Sequence, residues 1–267
     1  MYFITIDFGN TLTKLGIFQN NDLIEVKPFD SNNLIISDFE KILSEYKPQK
    51  IAYSSVINLS DELITFFKEK QAIELTYKSK LPFKNNYDSI ETLGIDRIAG
   101  VLGAYSLFPG EHLLVVQSGT CVTYDFFDKE KGYLGGAISP GKVMRFKALH
   151  TFTKKLPFIK TQKKMNDVVG SSTQTSIASG VFNGINFEFN GFIDYFLRNF
   201  ERGKIILSGG DVESRFIGIK EKNKIFAIQN ITLFGLKKNI ELNETSITKK
   251  KHPCWIKIKS NGGMIII

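Results

Sequence analysis

The stretch Tyr2-Phe3-Ile4-Thr5-Ile6-Asp7-Phe8-Gly9-Asn10-Thr11-Leu12-Thr13-Lys14 decides how this chain is read. An apolar strand ends in an aspartate, a Gly-Asn turn follows, and a second strand opens on threonine and carries a lysine. A weaker echo comes later as Leu113-Leu114-Val115-Val116-Gln117-Ser118-Gly119-Thr120-Cys121-Val122-Thr123, with Gly119 standing where Gly9 stands in the first. One glycine turn between apolar strands describes any hairpin. Two of them, each ending its first strand in Asp or Gln and each placing Thr after Gly, point to two facing half-sites that hold a nucleoside triphosphate between two lobes.

Outward from the first turn, alternating segments at 2–6, 11–18 and 23–26 read as a three-stranded antiparallel meander. Helical spacing over 38–46, a β-rich run over 51–56, a helix capped by Ser60 and reaching 70, and a strand over 73–77 extend the order to βββαβαβ. An irregular segment over 78–92 precedes a helix predicted from about 96 to 107. The order then repeats, with strands at 113–116, 121–127 and 133–138 and further strands at 204–207 and 225–228. Between them, a helix over about 176–200 carries the apolar stripe Ile177, Val181, Ile185, Phe189, Phe192, Phe196 and Phe200. Gly180 and Gly184 interrupt it at a cost of about 1 kcal/mol each relative to alanine, which suggests a close backbone approach from another helix or subunit.

Two βββαβα runs, each opening on a glycine hairpin, resemble the actin, hexokinase and acetate kinase superfamily. That resemblance implies an α/β fold of two RNase H-like lobes, each a mixed five-stranded sheet with flanking helices, and a ligand cleft between them. The lobes are expected at 1–112 and 113–236, followed by a polar tail at 237–267 to which the pattern assigns no role.

Composition narrows the options. The 267 residues are 42% apolar with 23 Phe and 9 Tyr, enough for two compact cores. Only Cys121 and Cys254 occur, without CxxC spacing, so nothing calls for an oxidising compartment and the cytoplasm is expected. No signal peptide or membrane span is read from the sequence. His112, His150 and His252 lack zinc-site spacing, so any metal is expected to arrive with the nucleotide. The net charge of +8 favours anionic substrates. Its densest cluster, Lys249-Lys250-Lys251-His252, has no interleaved aromatics, so nucleic-acid binding is not expected.

Phosphate oxygens call for N–H groups, hydroxyls and positive charge, and Gly9, Asn10, Thr11 and Lys14 supply them. Asp7 would repel bare phosphate. It either holds hydrated magnesium or closes the hairpin as an Asx turn. Gly119 and Thr120 serve the phosphates in the second hairpin, Thr123 and Asp125 continue its strand, and Ser208-Gly209-Gly210 suits adenine or ribose lying on bare backbone. Transfer to an alcohol also needs a base. Asp96, in Leu93-Gly94-Ile95-Asp96-Arg97, is the candidate, with a helix N-cap as its plain alternative. Arg97 clamps a substrate anion or forms a surface pair.

These residues together resemble the type III pantothenate kinases over about residues 1–236. The series is Asp7-x-Gly9-Asn10-Thr11-x-x-Lys14, Tyr87, Gly94-x-Asp96-Arg97, Gly119-Thr120, Gly135-Gly136-x-Ile138-x-Pro140-Gly141, Leu156-Pro157, Gly170-x-x-Thr173, Ser179-Gly180 and Gly209-Gly210. The resemblance implies ATP-dependent phosphorylation of pantothenate, the first step of coenzyme A synthesis, with magnesium accompanying ATP. Carried over, Asp7, Phe8, Gly9, Asn10, Thr11, Leu12, Thr13, Lys14 and Thr120 bind ATP. Asp96 is the proton acceptor, and Tyr87, Gly94, Ile95, Asp96, Arg97 and Thr173 contact pantothenate. A homodimer is implied as well, with Gly180 and Gly184 as its close-packing points.

Two positions depart from the family pattern. Gln117 stands where the family has an Asp that helps bind a monovalent cation, K+ or NH4+; the amide oxygen remains but the charge is gone. Ile90 stands where proline is usual. Two other readings stay open: a weakly active or inactive nucleotide-binding homologue that regulates a partner, and a kinase for a sugar or another small hydroxy acid.

Overall fold

Side-chain alternation builds the first sheet and decides what faces the site. The computed structural model describes residues 1–160, 167–200, 202–210, 224–244 and 265–266. Strand β1 (Tyr2–Phe8) pairs antiparallel with β2 (Leu12–Gln19), and β2 pairs with β3 (Asp22–Asp30). Strand β4 (Lys50–Ser55) lies parallel to β1, and β5 (Ile73–Glu74) parallel to β4, so the order is β3-β2-β1-β4-β5. Ile4, Ile6 and Phe8 point to one face of β1. There they meet Phe39 and Ile42 of α1 (Ile36–Tyr46) and Leu63, Phe66 and Phe67 of α2 (Asp61–Glu69). The rings of Phe8, Phe39 and Phe67 lie 5.4 to 6.1 Å apart, each buried ring contributing roughly 1.5–3 kcal/mol. Ser60 caps α2 as the sequence predicts, accepting from the Leu63 N–H at 3.3 Å.

The opposite face of the sheet is covered by α6 (Ile231–Glu244), which lies against α3 (Ile95–Leu107). The two backbones touch. A Cβ on Gly103 would sit 2.2 Å from the Ile231 carbonyl oxygen, and one on Gly235 would sit 1.9 Å from that of Ala99. Helix α6 corrects the sequence reading, which ended the second lobe at 236 and began a polar tail at 237. Lys237 and Asn239 are buried within the helix, the Lys237 ammonium resting 4.1 Å from the Phe3 ring centre and 3.2 Å from Glu241. A helix enclosed on most sides, with polar residues inside, has no apolar stripe to read. Lys249–His252 and Cys254, which the sequence reading singled out, lie outside the described residues.

The second sheet has the order β11-β10-β9-β6-β7-β8. It comprises β6 (Leu113–Ser118), β7 (Cys121–Asp128), β8 (Gly132–Pro140), β9 (Lys204–Ser208) and β10 (Ile225–Ala227), with a two-residue sixth strand, β11 (Ile265–Ile266), at the edge. Leu114, Val116, Val122 and Tyr124 pack on Ile177, Val181, Ile185, Phe189 and Phe196 of α5 (Thr173–Asn199), beside α4 (Lys142–Thr151). A capping box between Ser172 and Thr175 starts α5 three residues before the predicted point.

Contacts divide the chain into two units. One comprises Met1–Leu113, Phe127–Gly135 and the described part of Asn230–Lys259; the other comprises Leu114–Phe126, Gly136–Gln229 and the described part of Ser260–Ile267. The turn between β7 and β8 thus belongs with the first unit, where Tyr133 donates its N–H to the Lys84 carbonyl at 2.9 Å. Among the described residues no other helix backbone makes the predicted close approach at Gly180 and Gly184: nothing lies within 4 Å of a Cβ on Gly180, and only the Arg145 guanidinium, at 3.9 Å, meets one on Gly184.

Candidate active site

In the first unit the Gly9 turn is held by side chains. A Cβ on Gly9 would lie 2.8 Å from the Leu12 carbonyl oxygen, so the tight turn needs glycine. The Ser31 hydroxyl donates to the Gly9 carbonyl at 2.7 Å and lies 3.0 Å from that of Thr13. Alternation then sorts the predicted ATP ligands. Asn10 and Thr11 are exposed at the turn, and Leu12 is half exposed. Asp7 and Lys14 are cross-strand partners on one face, whereas Phe8 and Thr13 are paired on the other and fully buried. The side chains of Phe8 and Thr13 therefore support the turn from the core.

Asp7 is the best-anchored polar group of this half-site. The Ser54 hydroxyl donates to its Oδ1 at 3.1 Å, and the Thr232 hydroxyl donates to its Oδ2 at 2.9 Å. Although Asp7 keeps some exposed surface, burial raises its carboxyl above the ordinary value. The negative charge of Asp96 raises it further, while the two hydroxyls and Lys14 act the other way. Burial also lowers Lys14, against the pull of Asp7.

Asp96 sits in the first turn of α3, one residue beyond the first helical position. The N-cap is Gly94, so the plain N-cap reading of Asp96 is not what the helix uses. A Cβ on Gly94 would fall 2.7 Å from Asp96 Oδ1, so the glycine makes room for the carboxylate. The Arg97 backbone N–H donates to that oxygen at 2.9 Å. Burial raises the Asp96 carboxyl, while the Arg97 backbone and then the Arg97 charge lower it. The Arg97 side chain is 3% exposed and lies 5.5 Å over the Tyr87 ring, which stacks on Tyr133. Arg97 is therefore no surface pair. Ile95 flanks this group half-buried at the start of α3. The first unit thus gathers Asp7, Lys14, Asp96, Arg97 and Tyr87, and adds Ser54 and Thr232, which the sequence reading did not single out.

In the second unit the Gly119-Thr120 turn is exposed and held by backbone. Gly119 N–H donates to the Cys121 carbonyl at 2.9 Å, and Gly141 N–H to the Thr120 carbonyl at 3.0 Å. A Cβ on Gly141 would lie 2.2 Å from the Gly119 oxygen, and one on Gly209 would lie 2.0 Å from the Ser118 oxygen. The Arg145 guanidinium donates through Nε to the Pro140 carbonyl at 2.8 Å and is ion-paired with Glu188, which also accepts from Tyr124 at 2.8 Å. Neither Arg145 nor Glu188 was singled out from sequence. Gln117 is half-buried one residue before the end of β6, and Thr173 is exposed at the first position of α5. Thr123 and Asp125 are buried inside β7, away from its turn.

Among the described residues no three His, Cys, Asp or Glu side chains cluster to bind a metal. One carboxylate flanked by hydroxyls, with a second close enough to repel it, instead suits an ion that comes with phosphate and keeps several waters, as magnesium does.

Two sheets with flanking helices, each opening on a glycine turn, define the actin- and hexokinase-type α/β class to which sugar kinases belong. The fold alone is common to the "Lmo2764 protein, a putative N-acetylmannosamine kinase, from Listeria monocytogenes" (TM-score 0.50, 12% identity, 91% of this chain and 100% of that one). A solved structure of a "conserved putative Baf family transcriptional activator from Campylobacter jejuni" matches with TM-score 0.56 and 25% identity, over 91% of this chain and 99% of that one. Residues 3–195 match the family model described as type III pantothenate kinase. The type III pantothenate kinase of Christiangramia forsetii is 42% identical over 244 residues, covering 91% of this chain and 99% of that relative. This chain belongs to the type III pantothenate kinase family.

Proposed function

We propose that this chain transfers the γ-phosphoryl group of ATP to the primary hydroxyl of pantothenate, the first step of coenzyme A synthesis. The observation that carries this reading is Asp96: a carboxylate at a helix start, raised above its ordinary value by burial and held by the Arg97 N–H. In this reading Asp96 accepts the hydroxyl proton. Arg97, kept in place by the Tyr87 ring, pairs with the pantothenate carboxylate, and Gly94, Ile95 and Thr173 shape the pocket. Asn10, Thr11, Lys14 and the Gly119-Thr120 turn contact the phosphates, and Asp7 orients the waters of magnesium. When bound, magnesium neutralises the charge that develops on the β- and γ-oxygens.

We infer in addition a homodimer through α5. Its support is the row of Gly180, Gly184, Phe187, Gly191 and Tyr195, spaced three or four apart, with Phe187 and Tyr195 60% and 57% exposed; sedimentation velocity reads it directly. No helix among the described residues is long and apolar enough to cross a membrane. A cytoplasmic location accompanies the metabolic reading. At Gln117 a monovalent cation meets an amide oxygen without charge, so weak stimulation by K+ or NH4+ is expected.

The test is ADP release coupled to added pantothenate, in wild type and Asp96→Asn. The substitution is expected to cut turnover by about 10²–10⁴-fold with nucleotide affinity retained. Unchanged turnover rejects Asp96 as the base. The second reading, a nucleotide-binding regulator with little activity, is motivated by Gln117. It gains if wild type binds ATP but turns over neither pantothenate nor any member of a panel of sugars and hydroxy acids.

A further inference from the structure

We propose that Thr232 is a positioning residue: its hydroxyl fixes the orientation of the Asp7 carboxylate that holds the hydrated magnesium of bound ATP. The inference rests on the nucleotide half of the proposed function and on geometry within the first unit alone. Thr232 is separated from Asp7 by 225 residues of sequence, is 6% exposed, and belongs to the first turn of α6. It donates to Oδ2 of Asp7 at 2.9 Å while Ser54 donates to Oδ1 at 3.1 Å, so each carboxylate oxygen receives one hydroxyl.

This arrangement meets two demands. The terminal torsion of an aspartate is intrinsically broad, so its plane must be set by partners. A lysine or arginine would set it too, but would neutralise the charge that a divalent cation needs; neutral hydroxyls orient the group and leave the charge in place. Lys14 and Asp96 are the ionised groups whose charges act on Asp7, and neither donates a hydrogen bond that would fix its plane. The donor itself is held firmly. Helix α6 is locked to α3 where Gly103 meets Ile231 and Gly235 meets Ala99, and Ile231 immediately precedes Thr232. Thr232 therefore reaches Asp7 from the helix packed against the one that carries Asp96.

The experiment compares wild type, Thr232→Val (equal in shape, without hydroxyl) and Thr232→Ser (hydroxyl kept) in the full chain. Manganese binding in the presence of a non-hydrolysable ATP analogue is followed by electron paramagnetic resonance. Affinity for the analogue is titrated with and without magnesium, and thermal midpoints are measured alongside. Thr232→Val is expected to weaken metal affinity about tenfold or more, the scale of one hydrogen bond to a charged group. The metal-free nucleotide affinity and the KM for pantothenate should stay within about twofold, and Thr232→Ser should restore metal binding. Wild-type metal affinity in Thr232→Val, or equal losses with and without magnesium, overturns the proposal. If Thr232→Val melts below the assay temperature, Thr232→Cys, similar in volume and only weakly donating, is read against the same outcomes. A wild type that binds magnesium nucleotide without phosphorylating pantothenate defeats the kinase reading and leaves this comparison intact. A wild type that binds no magnesium nucleotide defeats both.

Discussion

The two glycine turns follow one plan and are built from different materials. Around Gly9 the turn is braced by side chains: Ser31 on the Gly9 carbonyl, Thr13 on Ser31, Ser54 and Thr232 on Asp7, and Lys14 across the ladder. Around Gly119 it is braced by main chain, with Gly141 and Gly209 pressed against the carbonyls of Ser118, Gly119 and Thr120. The contrast teaches a division of labour. Side-chain bracing places charge, which chemistry needs, whereas main-chain bracing brings backbones together where glycine leaves room for them.

Asp7→Asn tests the charged turn most severely. Turnover is expected to fall on the order of 10²–10³-fold, the scale of removing one aligned electrostatic group. The same substitution should stabilise the fold. Because the Asp7 carboxyl is raised above 3.8 in the folded chain, the folded state binds that proton more tightly than the unfolded one. The stability this contributes is present below about 3.8 and is lost as pH rises through the folded value. Asparagine escapes that loss, so its thermal midpoint should exceed that of wild type at neutral pH, with the gap closing in acid. A midpoint that falls equally at all pH values breaks the contrast.

At the main-chain turn the large effect is steric. Gly209 has φ +109°, and a Cβ there would collide with Ser118, so Gly209→Ala should cost about 2–4 kcal/mol in denaturant unfolding and weaken ATP binding with it. Gly9→Ala should cost less, because Gly9 does not occupy the left-handed region and its nearest contact is 2.8 Å. The reverse order would mean that the turns are braced alike. The smallest change is Gln117→Asp, expected to sharpen stimulation by K+ or NH4+ about two- to tenfold, since it restores one charge at a half-buried strand end. An identical cation response would detach that position from the cation.

Much of this was legible in the chain. The first hairpin announces itself by alternation around Gly-Asn, and its register follows from the turn. The stripe of α5 is equally plain, because one face is buried and the other is not. Within the contiguous motif from Asp7 to Lys14 the side chains divide by face: a strand turns only every second side chain to one side, so those of Phe8 and Thr13 went to the core. Strand β3 ran on to Asp30, past Pro28, because an edge strand does not need every N–H paired. Ser54 and Thr232 left no signal, since a hydroxyl at a strand end or helix start is ordinary until the fold sets it against Asp7. Helix α6 was hidden by its own burial, with Lys237 and Asn239 inside.

The meshing of Gly103 with Ile231 and of Gly235 with Ala99 has a mechanical consequence. Each backbone fills the notch in the other, so neither rod can twist without carrying its neighbour. Thermal jitter should then reach the acid at the head of one and the hydroxyl at the head of the other in phase. The spacing between carboxylates 7 and 96 would stay quieter than the absolute place of either.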